Sequence, residues 1–319
     1  VDEAHRSFNP YGSFLANLVN SDRNAHIIAL TGTPLIRKDF YSRDVFGNYI
    51  HQYYYDASIA DGYTLKLIRE GIETNYKMLL EETIREIEVL QGDVDRRQVY
   101  AHPRFVEPML DYIVKDFEKS RRGYGENGIG AMVVCDSAEQ ARMMYEVFQQ
   151  KYATKIIPLA KPTATKPEDF AIAADDGDDA RYERLPAPQI KTASLILHDV
   201  GTKEDRKDWV DDFKEGRTDL LFVYNMLLTG FDAKRLKKLY LGRVVKEHNL
   251  LQTLTRVNRP FKHFRYGYVV DFADIRKEFD ATNKAYFDEL QQELGDEMEH
   301  YSNLFKEPEE IEREIADIK

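Results

Sequence analysis

The stretch "LLTGFDAKRLKKLYLGRVVKEHNLLQTLTRVNRP" (227–260) passes from a turn to a strand to a helix, and that succession sets the fold. "KKLYLGR" (237–243) reads as a strand. "HNLLQTLTRVNR" (248–259) reads as a helix broken by Pro260, since proline lacks the N–H that a helix interior needs. Outward from this stretch the pattern repeats. "AMVVC" (131–135), "KIIPLA" (155–160), "SLILHD" (194–199), "DLLFVYN" (219–225) and "YGYVVDF" (266–272) are apolar runs of strand length. Between them, Asp136 or Ser137 is a plausible N-cap for a helix through Gln150, and "KEDRKDWVDDFKEG" (203–216) is a helix stopped by Gly216. Buried strands alternating with helices predict an α/β domain built on a parallel sheet flanked by helices.

Upstream, "HIIALT" (26–31) reads as a buried strand closed by a G-T-P turn. Residues 73–90 and 102–122 carry apolar residues at helical spacing, and a Gly-rich break follows at 123–130. Tyr53, Tyr54 and Tyr55 read as core or as lining a surface, with core and sheet packing the commoner place for a tyrosine cluster. Residues 161–192 are Pro-, Ala- and Asp-rich and interrupt the rhythm, as an insertion would. From about Ile275 the chain has helical periodicity and many carboxylates, which predicts a helical extension.

The chain of 319 residues is long enough for two domains. With 43% hydrophobic and 32% charged residues it has the balance of a globular protein with real cores. Its one cysteine, Cys135, excludes an intramolecular disulfide and points to a reducing, cytoplasmic setting. No apolar run is long enough to span a bilayer, so no membrane association is expected. The net charge of −11 argues against nucleic-acid binding if only the total is considered. Much of the acid, however, lies in 168–183 and in the tail from Asp288, whereas 230–265 is strongly basic. The basic residues of 234–246 and 256–265 read as phosphate contacts or as solvated side chains, with solvation favoured for any single one.

Four motifs carry chemistry. In "VDEAHRS" (1–7), adjacent Asp2 and Glu3 at a strand end can hold Mg²⁺ through oxygen and position an attacking water, although a solvated acidic stretch is the alternative. In "LTGTPL" (30–35), Thr31 and Thr33 flank Gly32 at a turn, and alone an ordinary β-turn is the simpler reading. In "LLTGFDA" (227–233), Gly230 lets the backbone approach a ligand, and Asp232 can bind a ribose hydroxyl or orient an arginine. In "QTLTRVNR" (252–259), Gln252, Arg256 and Arg259 fall at i, i+4 and i+7, on one helix face. Two convergent guanidinium groups can stabilise charge on a transferring phosphoryl group, while a solvated basic face is the common alternative.

The order of these motifs resembles superfamily 2 helicases, DEAH-type motors with two RecA-like lobes. "TGTPL", "FGNYIHQYYYDASIADGYT" (46–64), the 227–260 stretch and "GYVVDFADI" (267–275) closely resemble the motor (R, restriction) subunit of type I restriction-modification enzymes, from Val1 to about residue 290. The resemblance implies RecA-like parallel sheets: the C-terminal part of lobe 1 in 1–100, lobe 2 with its insertion in 101–274, and the start of a helical domain in 275–319.

It further implies that Asp2 binds Mg²⁺, Glu3 activates water and His5 couples the nucleotide site to the cleft between lobes. Thr31, Gly32 and Thr33 would link hydrolysis to DNA, Gly230 and Asp232 would sit near nucleotide and DNA, and Gln252, Arg256 and Arg259 would reach the γ-phosphate. The implied cofactors are ATP and Mg²⁺. The implied partners are double-stranded DNA and the methyltransferase and specificity subunits, within an ATP-driven translocase and endonuclease. No glycine here is followed by lysine, so the family's phosphate-cradling loop and nuclease domain are expected upstream of this chain, which alone is expected to be inactive. Another superfamily 2 helicase or translocase, or a non-catalytic docking module for the modification core, are the competing readings.

Overall fold

The computed structural model describes residues 4, 13–22, 24–31, 36–37, 40–41, 46–51, 53, 55–91, 96–153, 190–245, 247–272 and 313. Near the start lie helix α1 (Ser13–Ser21) and an antiparallel pair, β1 (Ile36–Arg37) with β2 (Phe40–Tyr41). Helix α2 (Tyr55–Ala60) follows. Six further strands form one sheet: β3 (Lys66–Gly71), β4 (Gly130–Val134), β5 (Ala193–Ile196), β6 (Leu220–Val223), β7 (Leu236–Leu241) and β8 (Tyr266–Asp271). Their order is β3-β8-β7-β4-β6-β5, and every pairing is parallel. This is the α/β fold that the alternating runs predicted. Every residue of β4, β6 and β7 is buried, which explains why β4 and β6 read as continuous apolar runs rather than alternating ones; β7 is equally buried although it carries Lys237 and Lys238.

Two helical layers cover the sheet. On one face lie α3 (Thr74–Gln91), α4 (Arg96–Ala101), α5 (Pro103–Tyr124) and α6 (Ala138–Lys151), whose Ile87, Val99, Leu110, Phe117 and Phe148 share a core with Phe222 and Tyr240. On the other lie α7 (Lys203–Glu215) and α8 (Glu247–Leu254), whose Phe213, Leu250 and Leu254 join Leu221, Leu239 and Val269. Local chemistry sets the helix ends. Ser137, not Asp136, caps α6, its hydroxyl accepting from the Gln140 N–H at 3.0 Å. Thr202 and Asp205 form a reciprocal capping box on α7. Gly216 ends α7 at φ 90°, where an L side chain would be strained.

Several expectations are corrected. Strand β3 went unread, because "LKLIREG" (65–71) is short and half-polar. It is an edge strand beside β8, and only its Leu67 is fully buried. The run 26–31 forms no strand: Ile28 is 57% and Leu30 61% exposed. A doubly buried strand needs neighbours on both sides, whereas this run is assigned no strand pairing and its Leu30 carbonyl accepts from the Ala4 N–H at 3.0 Å. Tyr53 is also exposed, its hydroxyl donating to Asp61 at 2.7 Å instead of packing in a core. "KIIPLA", the 161–192 insertion apart from its last residues, and the helical tail lie outside the described residues.

The basic stretch is the largest correction. Arg235, Lys237 and Lys238 are neither solvated nor open to phosphate, since all three are buried. Arg235 donates to the carbonyls of Gly128, Ile129, Phe213 and Thr218 at 2.6–3.1 Å, stapling the start of β7 to its neighbours. Burial lowers its pKa to about 10. Lys238 meets Glu70 at 2.8 Å, Asp116 at 2.7 Å and Ser120 at 2.8 Å, and Asp116 also accepts from the Tyr240 hydroxyl at 2.7 Å. This network ties the edge strand β3 and helix α5 to the centre of the sheet. A second buried pair, Arg121 with Asp219 at 2.7 Å, joins α5 to the start of β6.

Candidate functional site

The site is built from two segments, the 224–235 connection and the turn after α8. In the first, Leu227 and Gly230 both adopt positive φ, 65° and 69°. For leucine that conformation costs on the order of 1 kcal/mol, and such strain collects at functional loops. Phe231 is buried against Phe213, ring centroids 6.1 Å apart, and fixes the loop to the core. Gly230 on one side faces open space, with no atom within 4 Å of where a Cβ would stand, and Asp232 on the other is exposed. The G-F-D sequence thus combines a left-handed turn, an apolar plug and an outward carboxylate. The plug is the part that reading the sequence missed.

The second segment departs from its predicted form. The helix read over 248–259 stops at Leu254, so Gln252, Arg256 and Arg259 do not share one helix face. The cause is local. The Arg256 guanidinium takes the Gln252 carbonyl at 2.7 Å. The Arg256 and Val257 N–H groups fall back on Thr253 and Leu254, three residues earlier, a tighter turn that ends the helix. Arg256 then reaches the Phe231 carbonyl at 2.5 Å, and Arg259 lies 3.5 Å from Asp232.

The fold therefore converges Gly230, Asp232, Gln252, Arg256 and Arg259 as expected, through turns rather than a helical face. Of the two roles expected for Asp232, its position beside Arg259 suits the arginine-orienting one. With the side chains of Arg259 43% and Asp232 61% exposed, the pair itself adds little stability. Its value is placement: it holds the partly exposed Arg259 at the same loop that Arg256 reaches through the Phe231 carbonyl, and two such guanidinium groups are a donor set suited to polyphosphate oxygens. Nearby, Arg243 at the end of β7 donates to the Tyr224 carbonyl at 3.2 Å and the Asn225 side chain at 2.8 Å. Asp2, Glu3, His5, Gly32 and Thr33 lie outside the described residues, and Thr31 is half-buried. Among the described residues no cluster of His, Cys, Asp or Glu suits a metal ion. None of the described helices is long and apolar enough to cross a membrane.

A six-stranded parallel sheet between helical layers, carrying a G-F-D loop against a two-arginine turn, is an α/β arrangement of RecA-like type. Comparison with known proteins narrows it. Residues 127–274 match the family described as type I restriction enzyme subunit R domain 3, and residues 1–99 match SWI2/SNF2 ATPase. The HindI type I restriction enzyme endonuclease subunit of Haemophilus influenzae is 28% identical over 89% of this chain and 27% of its own length. The SauCOLORF180P endonuclease subunit of Staphylococcus aureus is 25% identical over 90% of this chain and 31% of its own length. A solved fragment assigned to the HsdR subunit of a type I restriction enzyme from Vibrio vulnificus YJ016 superposes with TM-score 0.51 at 17% identity, over 82% of this chain and 42% of that one, and so shares the fold. The chain is similar to the R subunits of type I restriction enzymes along most of its length, with a region matching SWI2/SNF2 ATPase followed by one matching domain 3. It spans under a third of the length of these curated relatives.

Proposed function

We propose that this chain is the part of an ATP-driven duplex-DNA translocase that senses and completes its nucleotide site, within a protein that powers DNA cleavage in type I restriction. The supporting observation is the meeting of the G-F-D loop with the two-arginine turn, Arg256 on the Phe231 carbonyl at 2.5 Å and Arg259 beside Asp232 at 3.5 Å. Mg²⁺-ATP would supply the phosphoanhydride that is cleaved. Arg256 and Arg259 would neutralise charge on its outer phosphate, Asp232 would hold Arg259 in place, and Gln252 would fix the start of the turn. Asp2 would hold Mg²⁺ and Glu3 would orient the attacking water, with His5, Thr31, Gly32 and Thr33 coupling the site to DNA.

Closing two lobes on nucleotide and reopening them after hydrolysis is the stepping cycle in this reading. The lobe boundary, expected at residue 100, is proposed instead just before β3, because β3 pairs along its whole length with β8. The methyltransferase and specificity subunits are the proposed partners, and the cytoplasm the proposed location.

The intact subunit, assembled with those partners, tests the reading. ATP hydrolysis stimulated by duplex DNA, without displacement of a short annealed strand, is expected. Hydrolysis indifferent to DNA would refute the motor, and efficient strand displacement would favour a strand-separating helicase instead.

A further inference from the structure

The turn that carries Arg256 and Arg259 is held by its backbone, and the holding group is an unexpected one. Three consecutive carbonyls of the turn are occupied. The Asn258 carbonyl accepts from the Leu65 N–H at 2.6 Å, at the start of β3. The Val257 carbonyl accepts from the Lys237 Nζ at 3.4 Å, and the Arg259 carbonyl accepts from the same ammonium. The Val257 carbonyl also lies over Gly267 of β8, only 2.3 Å from where a Cβ would stand, so the turn is seated on the sheet. Lys237 itself is fully buried in β7, its side chain leaving on the face opposite Lys238, towards the Val257 and Arg259 carbonyls.

A buried lysine is costly unless compensated, and a methionine or leucine would fill the same slot without that cost. Here the compensation comes from backbone carbonyls of the arginine turn. Burial, and then the nearby Arg259 charge, push its pKa down to about 7. Arg259, itself paired with Asp232, is the charged group that acts on it.

We propose that Lys237 is a positioning residue for nucleotide hydrolysis: by gripping the Val257 and Arg259 carbonyls from inside the sheet, it fixes the turn that presents Arg256 and Arg259. This rests on the proposed role of those arginines. Lys237 touches no substrate. It acts through the turn, and its effect therefore appears in the geometry of the arginines before it appears in the stability of the sheet.

The test uses the intact subunit and two variants, Lys237→Met and Lys237→Gln. The glutamine keeps a short donor and guards against the case in which the methionine variant does not fold. Amide hydrogen exchange without nucleotide is expected to quicken at least tenfold across residues 255–259 in both variants, more in the methionine one, and by more than in β4 and β6, whose exchange follows only the global loss of stability. DNA-stimulated ATP hydrolysis is expected to lose about tenfold or more in kcat with KM little altered, as small misplacements of catalytic groups do. In an Arg259→Ala background, Lys237→Met is expected to add little further loss.

A folded variant of either kind whose 255–259 exchange quickens no more than that of β4 and β6 would overturn the proposal, as would full additivity with Arg259→Ala. Failure of the underlying reading looks different: Arg256→Ala and Arg259→Ala would then hydrolyse ATP like the wild type, while the exchange result for Lys237 would stand unaffected.

Discussion

Lys237 and Lys238 are neighbours in β7, identical in type and both buried, yet they face opposite layers and do different work. Lys238 points to the α5 side and is met by Glu70, Asp116 and Ser120 within 2.8 Å. Its charge is answered by charge, and the network joins β3 and α5 to the middle of the sheet. Lys237 points to the α8 side and finds main-chain carbonyls of the arginine turn. One lysine ties fold to fold, and the other ties fold to site. A strand's two-residue period is enough to separate them, because successive side chains must leave on opposite faces.

The comparison breaks most readily at Lys238. Lys238→Met would leave Glu70 and Asp116 without their shared cation, and is expected to cost about 3 kcal/mol, the low end for opening a buried pair because Glu70 is partly exposed. Denaturant unfolding measures this, and a loss below about 1 kcal/mol would show the network to be dispensable. Lys237→Met should cost less, on the order of 1–2 kcal/mol, since methionine refills the slot and only hydrogen bonds to carbonyls are lost. A reversed ranking would undo the division of labour.

The pH dependence sharpens it further. The folded pKa of Lys237, about 7, lies below the ordinary lysine value. Between the two the unfolded chain holds more protons, so this residue makes stability rise with pH across that window. Lys237→Met should remove that rise, visible as a flatter melting-temperature profile from pH 7 to 9.

Asp219 supplies the opposite sign. Burial alone would raise its carboxyl, but the Arg121 charge and donors from Lys191 and Thr192 outweigh this and hold it below the usual range. Its contribution is therefore present at neutral pH and lost as pH falls through the folded value. Asp219→Asn should flatten the acid limb of the stability curve below about pH 4, the smallest of these effects. An unchanged acid limb would show that Arg121 is satisfied by the Ile129 carbonyl alone.

The sheet was largely legible in the sequence because β4 and β6 are buried on both faces and read as unbroken apolar runs, and β7 keeps enough of that pattern around its two lysines. Helices α5, α6 and α7 were legible for a similar reason, through apolar stripes and caps at Ser137 and Gly216. The edge strand β3 was not, since a half-exposed strand mixes Lys66 and Arg69 with Leu67. At the site, residue types and order identified Gly230, Asp232, Gln252, Arg256 and Arg259, but a helical wheel placed the arginines wrongly. The turn arises from a side chain displacing a main-chain hydrogen bond, which spacing alone does not reveal. The fate of the lysines was hidden for a related reason: composition records a basic stretch, and only tertiary partners decide whether a cation is solvated, paired or set against carbonyls.

The central claim, that the two-arginine turn serves phosphoryl transfer, is tested most directly by measuring DNA-stimulated ATP hydrolysis by the intact subunit carrying Arg256→Ala or Arg259→Ala, with nucleotide affinity measured separately. Each variant is expected to lose about 10³-fold in turnover, the scale of an arginine that stabilises transition-state charge, with nucleotide binding changed far less. Turnover at the wild-type level in both variants would contradict the account.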